Sequence, residues 1–157
     1  MSRKNGCFSK KVQLIDRLGF SLEVDLSQTE FAVQWAAVPL FTYLDALIAQ
    51  KKMNEARLAL DSLTTLLATR CSKGIADRDS HLKSNFGFIR RGAEMQAVEF
   101  DIGSFSRNPQ ASDASYVKKE IFYATYALRE WLTTRSPELL EYLEAVTKLI
   151  CPEKSSF

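Results

Sequence analysis

Residues 72–89, "SKGIADRDSHLKSNFGFI", decide how the chain is read. Five charged groups, an amide and the sole histidine crowd a segment that ends one leucine-rich helix and leads into an apolar strand. Before it, "MNEARLALDSLTTLLATR" (53–70) spaces Ala56, Leu60, Leu63 and Leu67 four, three and four apart, which puts them on one core-facing side of a helix. Gly74 stands where such a helix stops, and Arg70 and Lys73 suit its negative dipole end. After it, "NFGFI" and "AVEFDI" read as strands joined by a turn at Gly92. Such a hairpin returns Asp101 toward Asn85.

Further upstream, Pro39 precedes a short helix in "LFTYLDALIAQ", and "SLEVDL" (21–26) with "FAVQWAA" (31–37) reads as a hairpin. Downstream, "SFSRNPQASDAS" is a loop. "SYVKKEIFYATYALREWL" then sets Val117, Ile121, Ala124, Leu128 and Trp131 at helical spacing, and Pro137 opens a last helix through Leu140, Leu143 and Val146. The aromatics Phe122, Tyr123, Tyr126 and Trp131 read as core or interface rather than a cofactor box. The fold class expected is α+β and mostly helical. Residues 1–19 are expected to be a basic N-terminal arm, 20–150 the domain and 151–157 a C-terminal tail.

The totals narrow the function. A chain of 157 residues with 46% hydrophobic content suffices for one core. Twenty-one Lys and Arg against nineteen Asp and Glu leave a charge of +2, too balanced for a whole-molecule attraction to nucleic acid or an anionic membrane. Arg3, Lys4, Lys10, Lys11 and Arg17 gather at the N-terminus with a single aromatic, Phe8, among them, as in a solvated arm. The sequence has neither a signal-peptide apolar region nor a membrane-spanning run, so a cytoplasmic protein is expected. Cys7, Cys71 and Cys151 form no CxxC and suggest neither a disulfide framework nor zinc. His81 being the only histidine excludes a multi-histidine metal centre, and without a GxSxG elbow most hydrolase readings end. His81 itself reads as a solvent-facing loop residue.

Asp79, Asn85 and Asp101 are hard oxygen donors, of the kind that hold Mg²⁺ bridging phosphates. An aspartate at the loop's start can orient, or take the proton of, an attacking hydroxyl, and Gly103 lets backbone approach closely. Taken singly, each such residue is an ordinary turn former.

As an ordered set they resemble the protein-kinase-like family. "SKGIADRDSHLKSN" is similar to the catalytic loop with His-Arg-Asp, Lys and Asn, and "VEFDIGSF" to the strand bearing Asp-Phe-Gly. "TEFAVQWAAVPLFTYLDAL" is similar to the last small-lobe strand, the hinge and the first large-lobe helix, and the helix from Tyr116 to the buried central helix of the large lobe. The resemblance implies a kinase-like large lobe with a β-hairpin remnant of the small lobe. It makes Asp79 the catalytic base, Lys83 a phosphate-contacting cation, Asn85 and Asp101 the metal ligands, Gly103 a nucleotide-binding glycine and Arg78 a structural arginine, with Mg²⁺ and ATP as cofactors.

The chain departs from that family at several points. Asp77 replaces His, six positions separate Asp79 from Asn85 instead of five, and Ile102 replaces Phe. The activation segment is short and no Ala-Pro-Glu occurs; GxGxxG and the Val-Ala-Ile-Lys strand are also missing. The expectation is therefore a truncated or degenerate member, with a weak Mg²⁺–nucleotide site and little phosphotransfer alone. A second expectation is a helical interaction module that meets a protein partner or a second copy through the surface left by the missing small lobe, with no nucleic acid and no membrane. A third is one piece of a longer or split kinase-like protein.

Overall fold

The computed structural model describes residues 11–15, 18–28 and 36–150. The chain divides into two compact units, Met1–Trp35 and Ala36–Phe157.

In the first unit, β1 (Lys11–Ile15) pairs antiparallel with β2 (Ser21–Asp25). Val12 stands opposite Val24 and Leu14 opposite Leu22, which puts the apolar side chains on one face. On the other face Lys11 Nζ meets Glu23 Oε1 at 2.7 Å. The strand expected over 21–26 is present, but its described partner is 11–15, within the segment expected to be a solvated arm. A count of basic residues hides the alternation of Val12 and Leu14 with Lys11 and Gln13. Of the strand expected over 31–37, residues 31–35 lie outside the described residues, and Ala36 and Ala37 are irregular.

The second unit begins with β3 (Val38–Pro39) and α1 (Leu40–Ala49), then α2 (Met53–Ser72) and β4 (Ile75–Asp77). It continues through α3 (Leu82–Asn85), β5 (Phe86–Arg91), β6 (Glu94–Glu99) and β7 (Phe105–Arg107). A 3₁₀ turn over Pro109–Ser112 leads to α4 (Ala114–Ala124), α5 (Tyr126–Arg135) and α6 (Pro137–Ile150). Helix makes up about 56% of the described residues and the sheets are small and antiparallel, so the chain is α+β and mostly helical.

The core forms where the helix periodicities put it. Ala56, Leu60, Leu63 and Leu67 of α2 are fully buried, together with Leu40 and Leu44 of α1 and Ile121 and Leu128 of the C-terminal helices. Each buried leucine contributes about 1.5–3 kcal/mol relative to exposure. Phe86 and Phe88 bring β5 onto this core.

Two glycines set the ends of the central segment. Gly74, at φ +68°, closes α2, and its carbonyl accepts the Asn108 N–H at 2.8 Å. Gly92, at φ +61°, occupies the first central position of the two-residue β5–β6 turn, as a type II′ turn requires. The helix expected over 115–132 divides at Thr125. Its Oγ1 donates to the Ile121 carbonyl at 2.6 Å, a back-bond that bends helices.

Candidate functional site

The quoted segment is held by a buried charge cluster that begins in the last turn of α2. Arg70 Nη1 donates to Asp77 Oδ2 at 3.1 Å and to Glu99 Oε1 at 2.5 Å, while Nη2 donates to Glu120 Oε1. One guanidinium thereby ties α2 to β4, β6 and α4. The four side chains are between 0 and 12% exposed. The Arg70 guanidinium also stacks 5.5 Å from the centre of the Phe105 ring.

Asp77 turns this cluster into a support for the loop. Its Oδ1 accepts the Asp79 N–H at 3.0 Å and the Ser104 hydroxyl, so a single carboxylate fixes both the start of the loop and the chain just beyond Asp101. Burial by itself would raise the Asp77 carboxyl. The hydrogen bonds from Ser104, Asp79 and Glu99, with the Arg70 charge, hold it below its ordinary range instead. Burial pushes Glu99 the other way, up to about 8, against the pull of Arg70. That shift favours the protonated form of Glu99 at neutral pH. Glu120 is raised as well, chiefly by burial, with Arg70 opposing.

Beside this cluster lies an open corner. The backbone of Asn85 joins the two ends of the segment: its carbonyl accepts the Phe100 N–H at 3.0 Å, continuing the ladder in which Phe86 faces Glu99. Its buried side chain donates through Nδ2 to the Asp79 carbonyl at 2.8 Å. That bond fixes which way the amide faces, and its oxygen accepts no hydrogen bond among the described residues. Asp101 is exposed, and one of its oxygens accepts the Gly103 N–H at 3.2 Å. The Asp79 carboxylate is 55% exposed and stands 3.7 Å from the imidazole of the outward-facing His81.

The segments bearing Asp79, Asn85 and Asp101 thus meet at one end of the β5–β6 hairpin. Lys83 is exposed on the same short helix as Asn85. Gly103 is exposed, and a Cβ there would meet only Asp101 Oδ1, at an ordinary 3.4 Å. Among the described residues no three His, Cys, Asp or Glu side chains form a metal-holding group. The corner offers two carboxylates and one amide oxygen, donors of the hard kind that Mg²⁺ takes.

Arg78, expected to be a structural arginine, is exposed; the buried arginine is Arg70. Sequence reasoning assigned Arg70 only to the helix dipole and passed over Glu99 and Glu120. The one available signal was an arginine on a helix otherwise lined with leucines, followed at 77 by an acid where a histidine was expected.

Comparison with known proteins finds no matching family, curated protein or solved structure. Among the described residues, no helix is long and apolar enough to cross a membrane.

Proposed function

We propose that the chain is a truncated or degenerate kinase-like protein whose corner at Asp79, Asn85 and Asp101 retains a weak Mg²⁺–nucleotide site. In this reading Asn85 and Asp101 supply the metal's oxygen ligands, Asp79 orients an acceptor hydroxyl, Lys83 contacts phosphate and Gly103 leaves room for the nucleotide. The observation that carries it is the double use of Asn85. Its side chain bonds to the Asp79 carbonyl and its backbone to the residue before Asp101, which supports a common site for the three segments. Phosphoryl transfer relies on positioning and electrostatic stabilisation, and the sequence lacks the phosphate-covering glycine loop and its lysine, so activity of the chain alone is expected to be slight.

The test is thermal unfolding with Mg²⁺ and ATP together. Selective binding to the native state at tenfold excess over Kd stabilises by about 1.4 kcal/mol, which raises the melting temperature. Asp101→Ala removes the rise. An unshifted native protein, or an equal shift in the variant, rejects the site.

One observation favours a second reading, a protein-interaction module. Phe122, Tyr123 and Tyr126 of α4 and α5 are all at least half exposed, with the Arg129 guanidinium 5.6 Å from the Phe122 ring centre. Clustered exposed aromatics mark contact surfaces. This reading expects a homodimer or a partner complex; a strictly monomeric species in concentrated solution counts against the homodimer.

A further inference from the structure

Between α2 and β6 lies a cleft of about 320 Å³, open on one side and separate in its contacts from the Asp79–Asn85–Asp101 corner. Its walls are mainly apolar, with Leu66 from α2, Ile75 from β4, Val98 from β6 and Phe105 from β7. Two cations border it. Lys73 follows the last turn of α2, and Arg91 ends β5 beside the turn; both are exposed and neither has an ion-pair partner among the described residues. Arg70, deeper in the wall, differs because its charge is already met by Asp77.

We propose that this cleft docks an acidic peptide segment, with one or two apolar side chains seated on Leu66, Ile75, Val98 and Phe105 and flanking carboxylates at Lys73 and Arg91. The volume is at the lower end for ligand-sized clefts, about 300–1,000 Å³, and so takes a short apolar anchor and no large cofactor. The two unpaired cations belong to different elements, and an occupant that satisfies both carries acidic groups on either side of the anchor. A bare phosphate chain would meet the cations but leave the apolar walls wet, which disfavours nucleic acid.

The β6 edge indicates how the segment is held. Ala97, whose N–H faces away from β5, donates it to Ser62 Oγ at 2.9 Å. That bond occupies the edge at Ala97 and disfavours strand addition there, so recognition runs through side chains.

The experiment is fluorescence anisotropy with three labelled probes: Glu-Leu-Phe-Glu, its Lys-Leu-Phe-Lys counterpart and Glu-Ser-Ser-Glu. The first binds saturably and the other two do not, and added salt weakens it. Reversing both cations, Lys73→Glu with Arg91→Glu, weakens binding by about tenfold or more, since rim charges act together with the new repulsion. Both residues are exposed, so the variant keeps its far-ultraviolet circular dichroism, and its urea midpoint falls only slightly, because Lys73→Glu puts a negative charge at the C-terminal end of the α2 dipole. Val98→Arg, which fills the cleft, abolishes binding. Asp101→Ala leaves peptide affinity unchanged, so this site and the nucleotide site fail separately. Equal binding of the three probes, unchanged affinity in the charge-reversed variant, or displacement of the peptide by a single-stranded oligonucleotide overturns the proposal.

Discussion

Two polar groupings sit side by side, one on α2, β4, β6 and α4 and the other just past the ends of β4 and β6 and at the end of α3, and they are built in opposite ways. The Arg70 cluster is almost wholly buried, and each of its three carboxyl groups bonds the guanidinium. The Asp79–Asn85–Asp101 corner has two exposed carboxylates and an amide oxygen without a bond among the described residues. The closed cluster fixes where the loop starts and where the chain leaves β6, whereas the open corner leaves its two carboxylates exposed. Asp77 belongs to both, since one of its oxygens faces Arg70 and the other holds the Asp79 N–H and the Ser104 hydroxyl.

The difference is sharpest when Arg70 is removed. Arg70→Met leaves three buried carboxyl groups without their cation and is expected to cost about 3–5 kcal/mol in urea denaturation, as broken buried ion networks do. A loss below about 1 kcal/mol would mean that the cluster is not closed as described. Asp77→Asn comes next, at about 2 kcal/mol, because a charge-assisted bond is lost and an amide N–H₂ is turned toward other groups. It is also expected to abolish the Mg²⁺–ATP melting shift without touching any proposed ligand, which would tie the corner to the cluster beneath it.

Glu99→Gln should be mild, within about 1 kcal/mol, at pH below about 4.5, where the native carboxyl is protonated in the folded and unfolded chain alike and glutamine keeps a donor. Its larger effect is on pH dependence. Glu99 is raised from 4.5 to about 8 on folding, so the folded state holds a proton that the unfolded chain releases. The stability from this group is complete below about 4.5 and is lost as pH rises to about 8. Urea midpoints measured across that window are expected to fall in the native protein and to flatten in Glu99→Gln; parallel curves would contradict the protonated carboxyl. Smallest is Asp101→Ala, within about 0.5 kcal/mol of the native stability, as for an exposed side chain outside the packed core. A large loss there would show that the corner is structural.

Much of the second unit was legible because its signals are local. The leucine ridge of α2, the stop at Gly74 and the turn at Gly92 each follow from a few neighbouring residues, and all three stand in the structure. The return of Asp101 toward Asn85 was also legible, since strand spacing and a two-residue turn set the register. The Arg70 cluster was not. Its partners lie 7, 29 and 50 residues away, and no periodicity distinguishes a buried carboxylate from a solvated one. The strand at Lys11–Ile15 was obscured differently, by reading charge where alternation carried the information. At Thr125 a one-residue break divides a helix whose apolar spacing runs through it unchanged.

The most direct test of this division is a titration of the isotope-labelled protein with Mn²⁺, a paramagnetic stand-in for Mg²⁺, followed by amide signal broadening. The account predicts broadening that begins at Asp79, Asn85 and Asp101, reaches Arg70 and Glu120 only later, and disappears in Asp101→Ala. Broadening spread evenly over the exposed carboxylates, or strongest at the Arg70 cluster, would contradict it.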